Sequence, residues 1–141
     1  AHDEHRDYEV LEQDYVAAGG NLMTIRQQPR NPGSEALHGY LMYRASEPNP
    51  VGLLGAMWIV EGLGEKMAKE WAARIEPLAG IGSDATRFLR YHGSNDDSHM
   101  NKLYGLIDRI CTTEPVADDI LRTATVVGRL YALQLEEIDV A

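Results

Sequence analysis

Apolar residues recur along this chain at intervals of three and four, the period of a helix face, and no segment reads as a strand. Tyr8, Leu11, Tyr15 and Ala18 share one such face, and the Gly19-Gly20 pair closes it, predicting a first helix from about the chain start to Ala18. A short helix over Asn21 to Gln28 is followed by a loop from Pro29 to Gly33, which holds two prolines and a glycine. Ser34 then caps a helix that carries Leu37, Tyr40, Leu41 and Met42 to about Arg44, where Glu47-Pro48-Asn49-Pro50 breaks it. Pro50 suits the start of the next helix, from Val51 to about Leu78. After a turn from Gly80 to Ser83, with Ser83 as cap, a long helix runs from Asp84 to about Thr112 with an expected kink near Gly93-Ser94. Pro115 to Glu137 forms the last helix. The expected architecture is all-α: a single domain over residues 1–141, built as a bundle of about five helices with short connections.

Two of these helices carry chemistry where aliphatic side chains would be routine. His92, Asp96 and His99 follow one another at intervals of four and three, and at about 100° per residue they fall in one narrow stripe. Its continuation is Leu103, Leu106 and Ile110, so the stripe is expected to face the core. Upstream, an apolar run from Pro50 to Val60 ends in Glu61, a carboxylate whose burial requires a cation or a hydrogen-bond donor. A bound metal compensates all four groups at once. The competing reading is a solvated face with a weak His–Asp pair, since Asn95, Asp97 and Ser98 are polar, and Glu61 near Gly62 could reach solvent. Gly52, Gly55, Gly62 and Gly64 in the middle helix, each unfavourable by up to ~1 kcal/mol relative to alanine, indicate either close helix packing or room for a ligand beside Glu61.

Composition narrows the alternatives. A formal charge of -9 with only three lysines, Lys66, Lys69 and Lys102, disfavours nucleic acid and anionic membrane surfaces as partners. No apolar run approaches the length needed to cross a bilayer, so the chain reads as soluble. Cys111 is the only cysteine, which leaves no intrachain disulfide or cysteine-rich zinc site and suits a cytoplasmic location. The start, Ala1-His2-Asp3-Glu4-His5, looks internal: either the native protein was processed or this is part of a longer one.

The remaining candidates divide by phase. Taking Tyr8, Leu11 and Tyr15 as the buried face puts Glu4 on it, His5 at its margin and His2 mostly away, so His5 is the better terminal donor. His38 faces Leu41 and Met42 and reads as a structural histidine. Tyr8, Tyr91 and Tyr104 lie near candidate ligands as hydrogen-bond donors, while Trp58 and Trp71 read as packing residues. Cys111 lacks the electropositive setting of a reactive thiol.

Three segments together resemble the heme-oxygenase-like iron-containing redox enzymes, also called heme-oxygenase-like diiron oxidases and oxygenases. QDYVAAGG (13–20) resembles the exit of the family's first ligand helix, NPVGLLGAMWIVEG (49–62) its middle ligand helix, and YHGSNDDSH (91–99) its His-x3-Asp-x2-His segment. The resemblance implies a heme-oxygenase-like helical bundle, with N-terminal helices of that fold preceding Ala1. It further implies Glu61, His92, Asp96 and His99 as metal ligands, with Asp96 serving a second iron, and His5 as the first-helix histidine. The first-helix carboxylate would fall at His2 or before Ala1, with Glu4 as an adjacent substitute. The implied activity is that of a non-heme diiron oxidase or oxygenase, taking dioxygen and a small organic substrate. If the second set is incomplete, His92, His99 and Glu61 could hold a single iron with Asp96 behind them. Two other readings stay open: heme binding and degradation on the same fold with one axial histidine, or a non-catalytic helical metal-binding or interaction module, as a homodimer through the glycine-rich helix.

Overall fold

The computed structural model describes residues 6–138, apart from the side chains of residues 95–98. Among the described residues there are six α-helices: α1 (Asp7–Ala17), α2 (Leu22–Gln27), α3 (Pro32–Ala45), α4 (Leu53–Ala79), α5 (Arg87–Ile110) and α6 (Glu114–Glu136). Short 3-10 turns at Pro50–Gly52 and Ser83–Ala85 lead into α4 and α5, and no strand occurs among the described residues. The helices fall into two compact units, Ala1–Gln28 with Leu63–Asp97, and Pro29–Gly62 with Ser98–Ala141.

Helix ends follow local chemistry. After α1, Gly19 takes a left-handed φ of 92°, and the bonds from Gly19 N to Val16 O and from Gly20 N to Tyr15 O close the last turn. Asn21 caps α2 through Met23 N, and Asn31 caps α3 by accepting from Ser34 N at 2.7 Å. The expected cap at Ser34 is therefore displaced to Asn31, and Pro32-Gly33 belong to the helix instead of the loop. Proline at a first helical position forfeits no hydrogen bond, which is why the helix starts on it. Ser83 likewise lies in a 3-10 turn and α5 begins at Arg87, running unbroken past Gly93-Ser94.

In the first unit, α1 turns a different face inward from the one its apolar spacing suggests. Tyr8, Leu11 and Tyr15 are exposed, whereas Asp14 is buried at 3% exposure, with Asp7 and Val10 half-buried on the same line. Asp14 Oδ2 accepts from Phe88 N at 2.7 Å and its Oδ1 meets Arg87 Nε at 2.9 Å, so a carboxylate of α1 caps the first turn of α5. That pair of contacts outweighs the gain from turning two tyrosines and a leucine inward, because a buried carboxylate without donors is far less favourable than an exposed aromatic ring. Nearby, Glu76 accepts from the Thr86 hydroxyl at 2.5 Å and from Arg90, and these bonds, the hydroxyl's first, hold it below the usual carboxylate range.

The second unit holds an aliphatic core of Leu54, Met100, Leu103 and Ile120, flanked by Val51, Leu106, Ile107, Cys111 and Val116. On α5 the core-facing residues are Met100, Leu103, Leu106 and Ile107, so Leu103 and Leu106 of the expected stripe face the core, while Ile110 is 37% exposed. Close approach explains two glycines of the middle helix region. A Cβ at Gly55 would stand 2.1 Å from Ile120 O and 2.8 Å from Ala124 N, so α4 and α6 touch through backbone there. One at Gly52 would meet the buried Arg44, which binds Asp119 Oδ2 at 2.6 Å and Glu47 at 2.8 Å. Gly33 similarly lets α3 approach the α6 backbone at Gln134.

Two measurements check this account. Asp14→Ala should lower unfolding stability by about 1–3 kcal/mol in urea, the scale of a lost cap plus a buried charged hydrogen bond, with Asp14→Asn losing less because its amide oxygen still accepts from Phe88 N. Equal stability of Asp14→Ala and parent would show that the α1–α5 junction does not rest on this carboxylate. Because the native Glu76 binds its proton more weakly than the unfolded chain does, its stabilisation is present above the ordinary glutamate range and fades as pH falls through the lowered native value. Glu76→Gln should accordingly flatten the acid limb of a stability-versus-pH curve; an unchanged limb would exclude the contribution.

Candidate metal centre

Four described side chains of metal-ligating type stand as two carboxylate–imidazole pairs, one in each unit. In the first, the inward line of α1 brings Asp7 to α5, where Asp7 Oδ2 is 3.5 Å from His92 Nε2. The side chains are 23% and 17% exposed. Phe88, one turn before His92, lies against its imidazole with ring centroids 4.4 Å apart, and Tyr91 meets it edge-on at 5.4 Å. The ring is thereby held by packing. Asp7 Oδ2 is shut off from solvent and accepts no hydrogen bond among the described residues.

In the second unit, Glu61 on α4 and His99 on α5 approach through Oε2 and Nδ1 at 3.3 Å, at 15% and 27% exposure. Trp58, three positions before Glu61, donates from Nε1 to Tyr104 OH at 3.3 Å, forming a second link between α4 and α5. A Cβ at Gly62 would meet only the tip of Met100, at 3.9 Å, so no close helix contact accounts for this glycine.

Both pairs are spaced at or beyond the long end of an N–H···O bond, usually about 2.7–3.2 Å. Two donors on one cation, each bonded at ~2.1 Å and at angles between square and tetrahedral, stand roughly 3.0–3.4 Å apart. The Glu61–His99 separation falls within that range and the Asp7–His92 separation lies just beyond it. Carboxylate oxygen and imidazole nitrogen are also the hard and borderline donors that suit iron, and the orphaned Asp7 oxygen is the kind of buried atom a cation would satisfy. The donor set fits iron. Among the described residues, however, no group of three or more His, Cys, Asp or Glu side chains gathers around one point.

Of the ligands expected from sequence, Glu61, His92 and His99 are therefore found facing complementary donors. His5, and with it His2 and Glu4, lies outside the described residues, as does the side chain of Asp96. Tyr8, Leu11 and Tyr15, the face beside which His5 was placed, are exposed on α1. His38 is exposed on α3. Asp7 escaped the sequence analysis. Its signal was present in the spacing of Asp7, Val10 and Asp14, but it competed with a longer apolar stripe on the opposite side of the same helix.

A family model described as iron-containing redox enzyme matches residues 3–132. The chain belongs to this family, and its all-α architecture is the heme-oxygenase-like fold. No curated protein and no solved structure matches it. No helix among the described residues is long and apolar enough to cross a membrane.

Asp7→Ala should weaken ferrous iron binding at least tenfold in an anaerobic titration, the order expected for loss of a donor or of its orienting partner. Glu9→Ala, on the same helix and paired with Arg6, should leave the affinity unchanged. Equal effects of both variants would remove Asp7 from the centre.

Proposed function

We propose that this protein is a non-heme diiron oxidase or oxygenase that uses dioxygen to oxidise a small organic substrate. The observation that carries the reading is the pairing of a carboxylate with an imidazole in each unit, Asp7 with His92 at 3.5 Å and Glu61 with His99 at 3.3 Å. Family membership supplies the metal's identity. In this proposal each pair contributes to one iron, Asp96 adds a carboxylate and His5 an imidazole from the segments outside the described side chains.

Bound iron would supply dioxygen activation and the electrons that water-exposed side chains cannot. The chain's own residues do the rest. The carboxylates of Asp7 and Glu61 offset positive charge in a partly desolvated setting, which favours a cation over a neutral guest. Phe88 and Tyr91 fix the rotamer of His92, so that its Nε2 is presented to Asp7 and not to solvent. Heme ligation by a single axial histidine would leave both carboxylates without a role, which favours the non-heme reading.

Anaerobic titration should load two ferrous ions per chain, without a Soret band. His92→Ala or His99→Ala should each lower the stoichiometry or the affinity, and Glu61→Gln should keep the helix content while weakening binding about tenfold or more, since the amide retains shape but not the anionic oxygen. Iron at about a hundred times its dissociation constant should stabilise the fold by ~2.7 kcal/mol for each site filled, a gain that chelation removes. Parent-like loading in all three variants, or heme binding in place of ferrous iron, would overturn the proposal.

A further inference from the structure

We propose that a cleft in the second unit, between the first part of α4, the last part of α5 and α6, binds a small uncharged apolar molecule. Its volume is about 330 Å3, at the small end of ligand pockets, which span roughly 300–1,000 Å3. Trp58, Tyr104, Ile107, Cys111, Ile120 and Leu121 form the walls, which are almost wholly apolar. Gly55, Ala117 and Ala124 leave the space open, because side chains this small cannot fill the interval beside the α4–α6 backbone contact.

The chemistry of the occupant follows from the walls. No charged side chain lines the cleft, so a carboxylate, phosphate or ammonium group would be desolvated there without compensation. An apolar surface open to water is itself unfavourable by about 25 cal/mol per Å2, which an alkyl or aryl group relieves. The Trp58 indole N–H is donated to the Tyr104 hydroxyl at 3.3 Å, and the walls expose almost no polar surface, so they favour no more than a weakly polar neutral function on the occupant. The occupant is therefore an aliphatic or aromatic hydrocarbon group with at most one neutral polar function.

The cleft adjoins the Glu61–His99 pair through its wall. Trp58 lies three residues before Glu61 on α4, about 60° away around the helix, so the indole and the carboxylate share one side. The inferred role of the occupant as oxidation substrate rests on the iron reading above; the affinity of the cleft for apolar molecules does not.

The test uses iron-free protein carrying Trp71→Phe, which leaves Trp58 as its only indole. Titration with 1-octanol and with 4-ethylphenol separates alkyl from aryl occupants, and 4-ethylbenzoate serves as the charged control. One or both neutral probes should change Trp58 emission saturably and slow iodoacetamide alkylation of Cys111 at least fivefold, while the benzoate does neither at the same concentration. Ala117→Leu, which fills the cleft, should abolish the protection of Cys111. Leu121→Ser at the exposed rim, a milder change, should weaken it at least threefold with helix content retained. Unslowed alkylation with both neutral probes up to their solubility limits, or equal protection in the parent and Leu121→Ser proteins, would overturn the site. Since no iron is present, this outcome is separate from that of the ferrous titration.

Discussion

Asp14 sets the orientation of α1 and, through it, the first carboxylate–imidazole pair. A carboxylate at 3% exposure is tolerated because Phe88 N and Arg87 meet both of its oxygens. Asp7 lies seven residues earlier, two turns back and only about 20° out of phase, so turning Asp14 inward turns Asp7 inward too. The outward direction of Tyr8, Leu11 and Tyr15 is the complementary consequence. A helix cannot satisfy a buried charge on one side and a full apolar stripe on the other, and here the charge decides.

The second unit is organised by a different constraint, the backbone contact of α4 with α6. Gly55 admits Ile120 O and Ala124 N to a distance no side chain allows, and Gly52 does the same for the Arg44–Asp119 pair just before α4 begins. Burial opposes the Arg44 charge, but Asp119 and Glu47 outweigh it and raise its pKa, so the entry to α4 is tied to both α3 and α6. This fixes the start of the helix that carries Glu61. Gly55 also borders the apolar cleft beside Trp58 and Tyr104, so that a packing requirement and a binding space meet at one residue.

Glu61 and His99 were legible from sequence for a sound reason: each interrupts an apolar helical run with a group that burial would penalise, and the structure sets them 3.3 Å apart. His92 was legible likewise, though its partner was not. Asp7 is one of several acidic residues near the start of α1, and its spacing with Val10 and Asp14 competes there with the longer apolar stripe of Tyr8, Leu11 and Tyr15. Of the stripe through Leu103, Leu106 and Ile110, the first two pack in the core and only Ile110 is exposed, because a 3.6-residue period fixes which residues share a face but not how far along the helix its neighbours cover it.

By itself, then, the sequence determined the helical class, nearly all helix boundaries and the residue types able to hold iron, since apolar period, glycine and proline positions, and donor chemistry are local properties. Boundaries moved only where a local rule had two solutions, as at Asn31 and Ser34, and a particular hydrogen bond chose between them. What the tertiary structure decided was rotation and partnership: which side of α1 points inward, which carboxylate meets which histidine, and where glycines touch backbone. Those depend on contacts between residues far apart in sequence, such as Asp14 with Phe88, whose energies enter only when the helices pack.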